Sequence, residues 1–516
     1  MTDPRTPKAA SSPVARLPML LLVAVSASSW PSVAHASPTI DLVGSLGSCG
    51  GMQGVVSGPG SASTYFNPSL LISAEESVLF GYELVSEQVG VTLYGRTSGA
   101  DVPLSVGQRN ITSPSGVPIS NTVVPTQWLQ NGCTGGTQTG QCPPPGFAAR
   151  PRQAQGTSGV SRSYGAFGLV KHLVPDRFSI GFFALVPLTN LTTAQAFYPD
   201  EREALFSNSL HPELYGDRLT SLSFVLGAAF KIIPEISIGA SLSLGLANTA
   251  ASNTYVSNAS NYSSLLMDNG ITTQVDLAPT VGISYVPIRW LRFGGAIHSP
   301  EKFAVATTID ATLPSGTTSS ATFDNVFDWM PWSADVGAEV DVVQRGKYTM
   351  SLTGSLKYAL WSSYIDRVGQ SPTVYGNQLA WSDTLSETVG VRHRYGNLRS
   401  FIDLGYVPSP VPEQIGRSNY VDNDRVMLAA GGDISLQIGR ARIRPGAQFF
   451  VNRLIYRANV KDDSLIVDEL PDGSVFSTTG KTVPGSVGLQ TNNPGWPGFS
   501  SQGWVWGGGV TVEIPL

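Results

Sequence analysis

Eight charged side chains, Asp335, Glu339, Asp341, Lys357, Arg392, Arg394, Arg399 and Asp403, cluster where apolar and polar residues alternate along the chain. Two chemistries fit such a set. An arginine in it can grip a carboxylate through two parallel hydrogen bonds, as a clamp for a fatty acid would. Alternatively, the charges pair with one another and tie a wall to whatever it encloses. Catalysis finds no comparable footing. The five histidines are His35, His172, His211, His298 and His393, and none stands at metal-ligand spacing. The chain carries no nucleophile elbow, phosphate loop or dinucleotide fingerprint. Lipid hydrolysis would need a serine beside His393. The residues predict no catalytic site, no metal and no cofactor.

Holding these charges on one face takes β-strands, whose side chains alternate between two sides. Ile236, Ile238, Ala240, Leu242, Leu244 and Leu246 share a face, with Ser237, Gly239, Ser241, Ser243 and Gly245 opposite. Trp332, Ala334, Val336, Ala338, Val340 and Val342 oppose Ser333, Asp335, Gly337, Glu339 and Asp341. Tyr348, Met350, Leu352, Leu356, Tyr358 and Leu360 oppose Thr349, Ser351, Thr353, Ser355 and Lys357. Strands of this length match a tilted crossing of a bilayer. Six short connections, at 174–176, 233–235, 286–288, 344–346, 395–397 and 438–440, each carry Pro or Gly, the residues that set or tolerate turn dihedrals. Long polar connections separate them, at 97–160, 188–213, 253–270, 311–322, 365–377, 409–420 and 460–500. Six hairpins plus one strand at each end predict an all-β, 14-stranded antiparallel transmembrane barrel, closed because lipid satisfies no open sheet edge.

The ends and the composition agree. Arg5, Lys8 and Arg16, then the apolar Leu17 to Val25, then Ala34-His35-Ala36 read as an export signal over residues 1–36. The chain closes on Trp504, Trp506, Val510, Val512, Ile514 and Leu516, alternating with Val505, Thr511, Glu513 and Pro515. Charged residues are only 13% of 516, and glycine reaches 55, whereas soluble domains carry about 25% charge. A net charge of −5 gives no support for a nucleic-acid partner. Export permits a disulfide between Cys133 and Cys142, nine residues apart in a Gly/Thr/Pro-rich loop, and leaves Cys49 as a free thiol.

Between signal and barrel, Tyr65, Phe66, Asn67, Pro68 and Ser69 follow a glycine-rich stretch. Asn67-Pro68-Ser69 is similar to the "NPA" motif of the FadL-type outer-membrane transporters of long-chain fatty acids and other hydrophobic compounds. Further along, Ala296-Ile297-His298-Ser299-Pro300, Trp361-Ser362-Ser363, Trp381-Ser382-Asp383-Thr384 and Pro408-Ser409-Pro410-Val411-Pro412 with Val421-Asp422-Asn423-Asp424-Arg425 resemble family stretches in the same order. Ser69 departs from the usual Ala, and the segment before Asn67 is short. The resemblance implies a plug over residues 37–75, ending in the motif, inside a barrel over 76–516. It also implies passive uptake of long-chain fatty acids or other hydrophobic small molecules across the outer membrane of a Gram-negative bacterium. Partners are then the hydrophobic substrate and outer-membrane lipid, and the protein is expected to be a monomer. Leu205, Phe206 and Leu210 would form an external hydrophobic landing site, or simply pack onto the loop crown. The alternative of another class is a surface receptor or adhesin-like barrel that binds partners through 97–160 or 460–500.

Overall fold

The computed structural model describes residues 38–94, 155–188, 211–212, 223–256, 265–312, 318–365, 371, 380–416, 418–462, 495 and 497–516. All fall within one unit, Val33–Leu516. The signal segment, Leu205, Phe206, Leu210, Cys133 and Cys142 lie outside the described residues.

The strands are β1 (Ser77–Leu93), β2 (Gln155–Val174), β3 (Phe178–Pro187), β4 (Ser223–Ile233), β5 (Ile236–Val256), β6 (Leu265–Ile288) and β7 (Leu291–His298). They continue as β8 (Ser333–Arg345), β9 (Tyr348–Ala359), β10 (Thr384–Tyr395), β11 (Leu398–Val407), β12 (Arg425–Ile434, resumed at Leu436–Ile438), β13 (Ala441–Val460) and β14 (Gly498–Pro515). Each pairs antiparallel with its sequence neighbour. The last returns to the first, from Ser77↔Pro515 to Leu93↔Phe499, so the sheet has no free edge. The predicted fourteen strands and the closure are both present.

The alternation resolves as lipid side and lumen side. Ile238, Leu242, Val336, Leu352, Leu356, Trp504 and Val510 are exposed on the outer wall, while Ser241, Ser243, Ser333, Glu339, Ser351, Val505 and Glu513 are buried inside. Hydrocarbon outside and enclosed polar groups inside are what a membrane barrel requires. The protein is an outer-membrane barrel by this wall and its closure.

Several predicted boundaries need correction. The third short turn lies at Arg289–Trp290, because Val286 and Pro287 form a bulge within the β6–β7 ladder; Pro287 has no N–H to give that ladder. No loop spans 253–270, since β5 and β6 pair continuously to Val256↔Leu265. The connection placed at 311–322 is longer. The wall stops at His298 before Pro300 and resumes at Ser333 after Pro331, and between them Glu301–Thr312 and Thr318–Met330 form a hairpin whose first strand runs parallel to the end of β5, from Asn248↔Val305 to Tyr255↔Thr312.

Inside the barrel runs the N-terminal segment. It comprises α1 (Pro38–Val43), a winding stretch with left-handed Ser48 and Cys49, α2 (Ser63–Phe66) and a 3-10 turn, Pro68–Ile72. Ile40, Val43, Leu46 and Tyr65 from this segment share one buried apolar cluster with Leu79, Val85, Phe183, Phe401 and Phe450 of the wall. Wall and segment therefore have a common core.

Candidate functional site

The Asn67-Pro68-Ser69 motif forms the joint between α2 and the 3-10 turn. Asn67 is extended at φ −160°, ψ 95°, and caps the turn, with Pro68 at its first position where the missing N–H costs nothing. The Asn67 amide is fully used. Its Nδ2 donates to the Val55 carbonyl at 2.7 Å and to the Ile283 carbonyl of β6 at 3.1 Å. Its Oδ1 accepts from the Ser69 amide at 3.2 Å and the Ser69 hydroxyl at 2.6 Å. Ser69, the departure from Ala, thus adds a bond. Tyr65 and Phe66 pack edge to face at 5.1 Å.

The wall makes room for this joint with two glycines that the sequence did not single out for it. A Cβ on Gly239 would fall 2.4 Å from the Pro68 carbonyl carbon and the Ser69 nitrogen, and one on Gly282 would fall 2.1 Å from Asn67 Oδ1. Gly239 and Gly282 face each other across β5 and β6.

Ion pairs clamp the rest of the segment. Arg392 grips Asp403 with two nitrogens at 2.5 and 3.1 Å. The same guanidinium donates to the Gly50 carbonyl at 2.7 Å and the Ser57 hydroxyl at 3.2 Å, and Asp403 accepts from the Met52 amide at 2.8 Å. Arg399 pairs with Asp433, which also accepts from the Cys49 thiol at 3.0 Å. Burial pushes the Cys49 thiol up, so it stays protonated, and it is a free cysteine. Arg292 bridges Glu339 and Asp341 at 3.1 and 3.2 Å. Arg444 reaches Glu513 at 2.7 Å, and Glu513 accepts from Ser77. Lys357 meets Asp41 of α1 at 2.7 Å and Asp335 at 3.8 Å.

Of the eight charges singled out, seven enter these pairs. Arg394 is exposed and pairs with no carboxylate among the described residues. The arrangement is that of internal pairing: Arg292 stands opposite Glu339, Asp433 opposite Arg399 and Arg444 opposite Glu513 on neighbouring strands, a register that spacing along one strand does not reveal, and Asp41 lies in the segment. His393 faces the Tyr348 hydroxyl at 3.0 Å.

The segment divides the lumen. Towards the short turns lies a polar chamber of ≈ 450 Å³, reached by Arg292, Arg392, Arg394, Arg399, Arg444 and Asp341. Towards the long loops lies a cavity of ≈ 170 Å³. Leu42, Met52, Val55 and Phe66 of the segment and Met330, Trp361 and Met427 of the wall side line it, with Asp41, Asp335 and Lys357 at one edge. Beside Trp361 stands an aromatic cluster. Trp361 lies 5.7 Å from Trp329 and 5.8 Å from Trp381, and Tyr364 stacks on Trp381 at 3.5 Å and 7°.

No protein-family model and no curated protein matches the sequence. Solved structures do match. A Pseudomonas aeruginosa FadL homologue is 13% identical, with a TM-score of 0.50 over 92% of this chain and 99% of that one. The Pseudomonas putida toluene transporter TodX is 10% identical, with a TM-score of 0.44 over 92% and 99%. The Ralstonia pickettii toluene transporter TbuX is 11% identical, with a TM-score of 0.41 over 92% and 99%. At such identities the likeness is one of fold, and on the first of these comparisons this protein has the fold of the FadL-type outer-membrane barrels.

Proposed function

We propose that the protein carries hydrophobic small molecules passively across the outer membrane, with residues 37–75 acting as a plug. The observation that carries this reading is the apolar cavity whose floor is built by the N-terminal segment itself. A greasy molecule gains by leaving water for such a lining. Below it, the polar chamber and the buried Arg392–Asp403 pair form a barrier it cannot cross while the segment stays in place. Cargo therefore moves on only when the segment rearranges. Long-chain fatty acids and hydrocarbons are both candidate cargo, and the barrel acts as a monomer.

The test is uptake of labelled oleate and labelled hexadecane by cells that lack their own transporter of this type. The cells carry the wild-type protein or its Asn67→Ala/Pro68→Ala variant. Uptake of either compound that the variant loses supports a plug-gated channel, because an unanchored segment no longer forms the cavity floor. Absence of uptake of both, with surface folding verified, would sink the proposal.

A further inference from the structure

We infer that the cavity takes uncharged hydrophobic molecules and turns away carboxylates; this rests on the transport reading above and narrows its substrate class. A channel for fatty acid anions needs a cation free to receive the headgroup. The cavity has two basic groups at its edge, Lys357 and Arg425. Neither is free. Lys357 Nζ sits 2.7 Å from Asp41 Oδ2 and 3.8 Å from Asp335 Oδ2. Asp335 lies in turn 3.3 Å from His298 Nε2. The buried Glu301 adds a further negative field at Lys357. Arg425 acts on the loop carboxylate Asp422 and has partners of its own.

Within the lining itself, Asp41 and Asp335 balance Lys357 and Arg425. An incoming carboxylate would have to displace Asp41 or Asp335 from Lys357. That leaves an aspartate unpaired inside the barrel, where a lone charge is far costlier than a paired one. A neutral molecule disturbs none of these pairs. The remaining polar lining is uncharged, with Ser355, Thr384, Ser386 and Thr388 offering hydroxyls. It suits an alkane, an aromatic, an alcohol or an ester.

The experiment compares two ligands that differ only in the headgroup, 12-bromododecanol and 12-bromododecanoate. The full-length protein is held in lipid nanodiscs at about pH 9, well above the carboxyl range. Bromine quenches nearby indoles, and the signal assigned to the cavity is the part that the Trp361→Phe variant loses. The wild type should bind the alcohol at least about tenfold more tightly than the acid, a floor below the full cost of breaking a buried pair because Lys357 and Asp41 are partly exposed. Asp41→Asn should remove that preference by freeing Lys357. Asp335→Asn, on the barrel wall rather than in the segment, should reduce the preference by leaving Lys357 with Asp41 alone, and is read if the first variant fails to fold. Equal or tighter binding of the acid by the wild type would overturn the inference while leaving the transport reading intact. So would an unchanged ratio in both aspartate variants. If neither ligand gives a Trp361-dependent signal, the cavity is not the binding site, and both readings fall together.

Discussion

The two halves of the lumen differ in chemistry more than in size. The chamber near the short turns is the larger, yet charged side chains from five strands and the segment reach into it. The cavity near the long loops is smaller, and Leu, Met, Val, Phe and Trp side chains line it together with hydroxyls and two pairs of opposite charges. Water fills the first readily, whereas a hydrophobe prefers the second. What separates them is one passage of tight turns, residues 50–57, held by Arg392, Asp403 and Asn67. Hydrogen bonds to a few backbone atoms hold that passage, together with Val55 and Val56 packed against Ala296 of β7.

Removing that clamp should have the largest effect. Arg392→Ala leaves Asp403 buried without its cation and frees the Gly50 carbonyl and Ser57 hydroxyl, a loss of about 3–5 kcal/mol of local stability. Hydrogen exchange of residues 44–57 should then rise sharply while the strand ladders stay protected. Unchanged exchange there would mean that the two chambers are divided by something else. Arg392→Met and Asp403→Leu together should recover only the part due to the unpaired charge, because the Gly50 carbonyl and the Met52 amide still lose their partners.

Next in size is the joint itself. Asn67→Ala removes four hydrogen bonds and should cost about 2–4 kcal/mol. Gly282→Ala alone should be comparably damaging, because its Cβ would fall 2.1 Å from Asn67 Oδ1. Combined with Asn67→Ala the glycine substitution should cost less, because only Pro68 Cδ at 2.9 Å still crowds the new Cβ, and a thermal-melt double-mutant cycle reads this directly. Additive losses would break the link between motif and wall.

A smaller effect is expected at the upper rim. Burial pushes the carboxyl of Asp422, in the loop between β11 and β12, up to about 6. A carboxyl raised in this way favours its protonated form in the folded state. The stability it confers is fully present below the ordinary value of 3.8 and is lost as pH rises through about 6. Residues 408–424 should exchange faster at neutral pH than in mild acid, after correction for intrinsic rates, and Asp422→Asn should flatten that dependence. Exchange that slows with rising pH would contradict the sign.

The smallest is Ser69→Ala, which deletes one bond to Asn67 Oδ1 and keeps the backbone one. A loss of about 0.5–1.5 kcal/mol is expected. A larger one would mean that the serine does more than the alanine it stands in for.

The wall was legible in the sequence because a strand facing lipid and lumen writes period two into every pair of residues. Ile236 to Leu246 and Trp332 to Val342 announce their faces without help. The short turns were legible for a similar reason, since Pro and Gly constrain dihedrals locally. The exceptions are instructive. Pro287 looked like a turn but sits in a bulge, and the hairpin at 301–330 alternates like wall strands while standing outside the ladder between β7 and β8.

By itself, then, the chain determined strand number, the lipid face, and the candidate motif, all of which follow from spacing along a few residues. Tertiary structure alone decided which charge meets which. Asp41 and Lys357 are far apart in the chain, as are Arg392 and Gly50, and only the curvature of a closed sheet around the segment brings them together. It also decided that Gly239 and Gly282 receive Asn67 and Pro68, because close approach of two backbones leaves no trace in either sequence alone. Periodicity is a local property and survives in one dimension, whereas pairing across a lumen depends on closure, which exists only once the last strand has found the first.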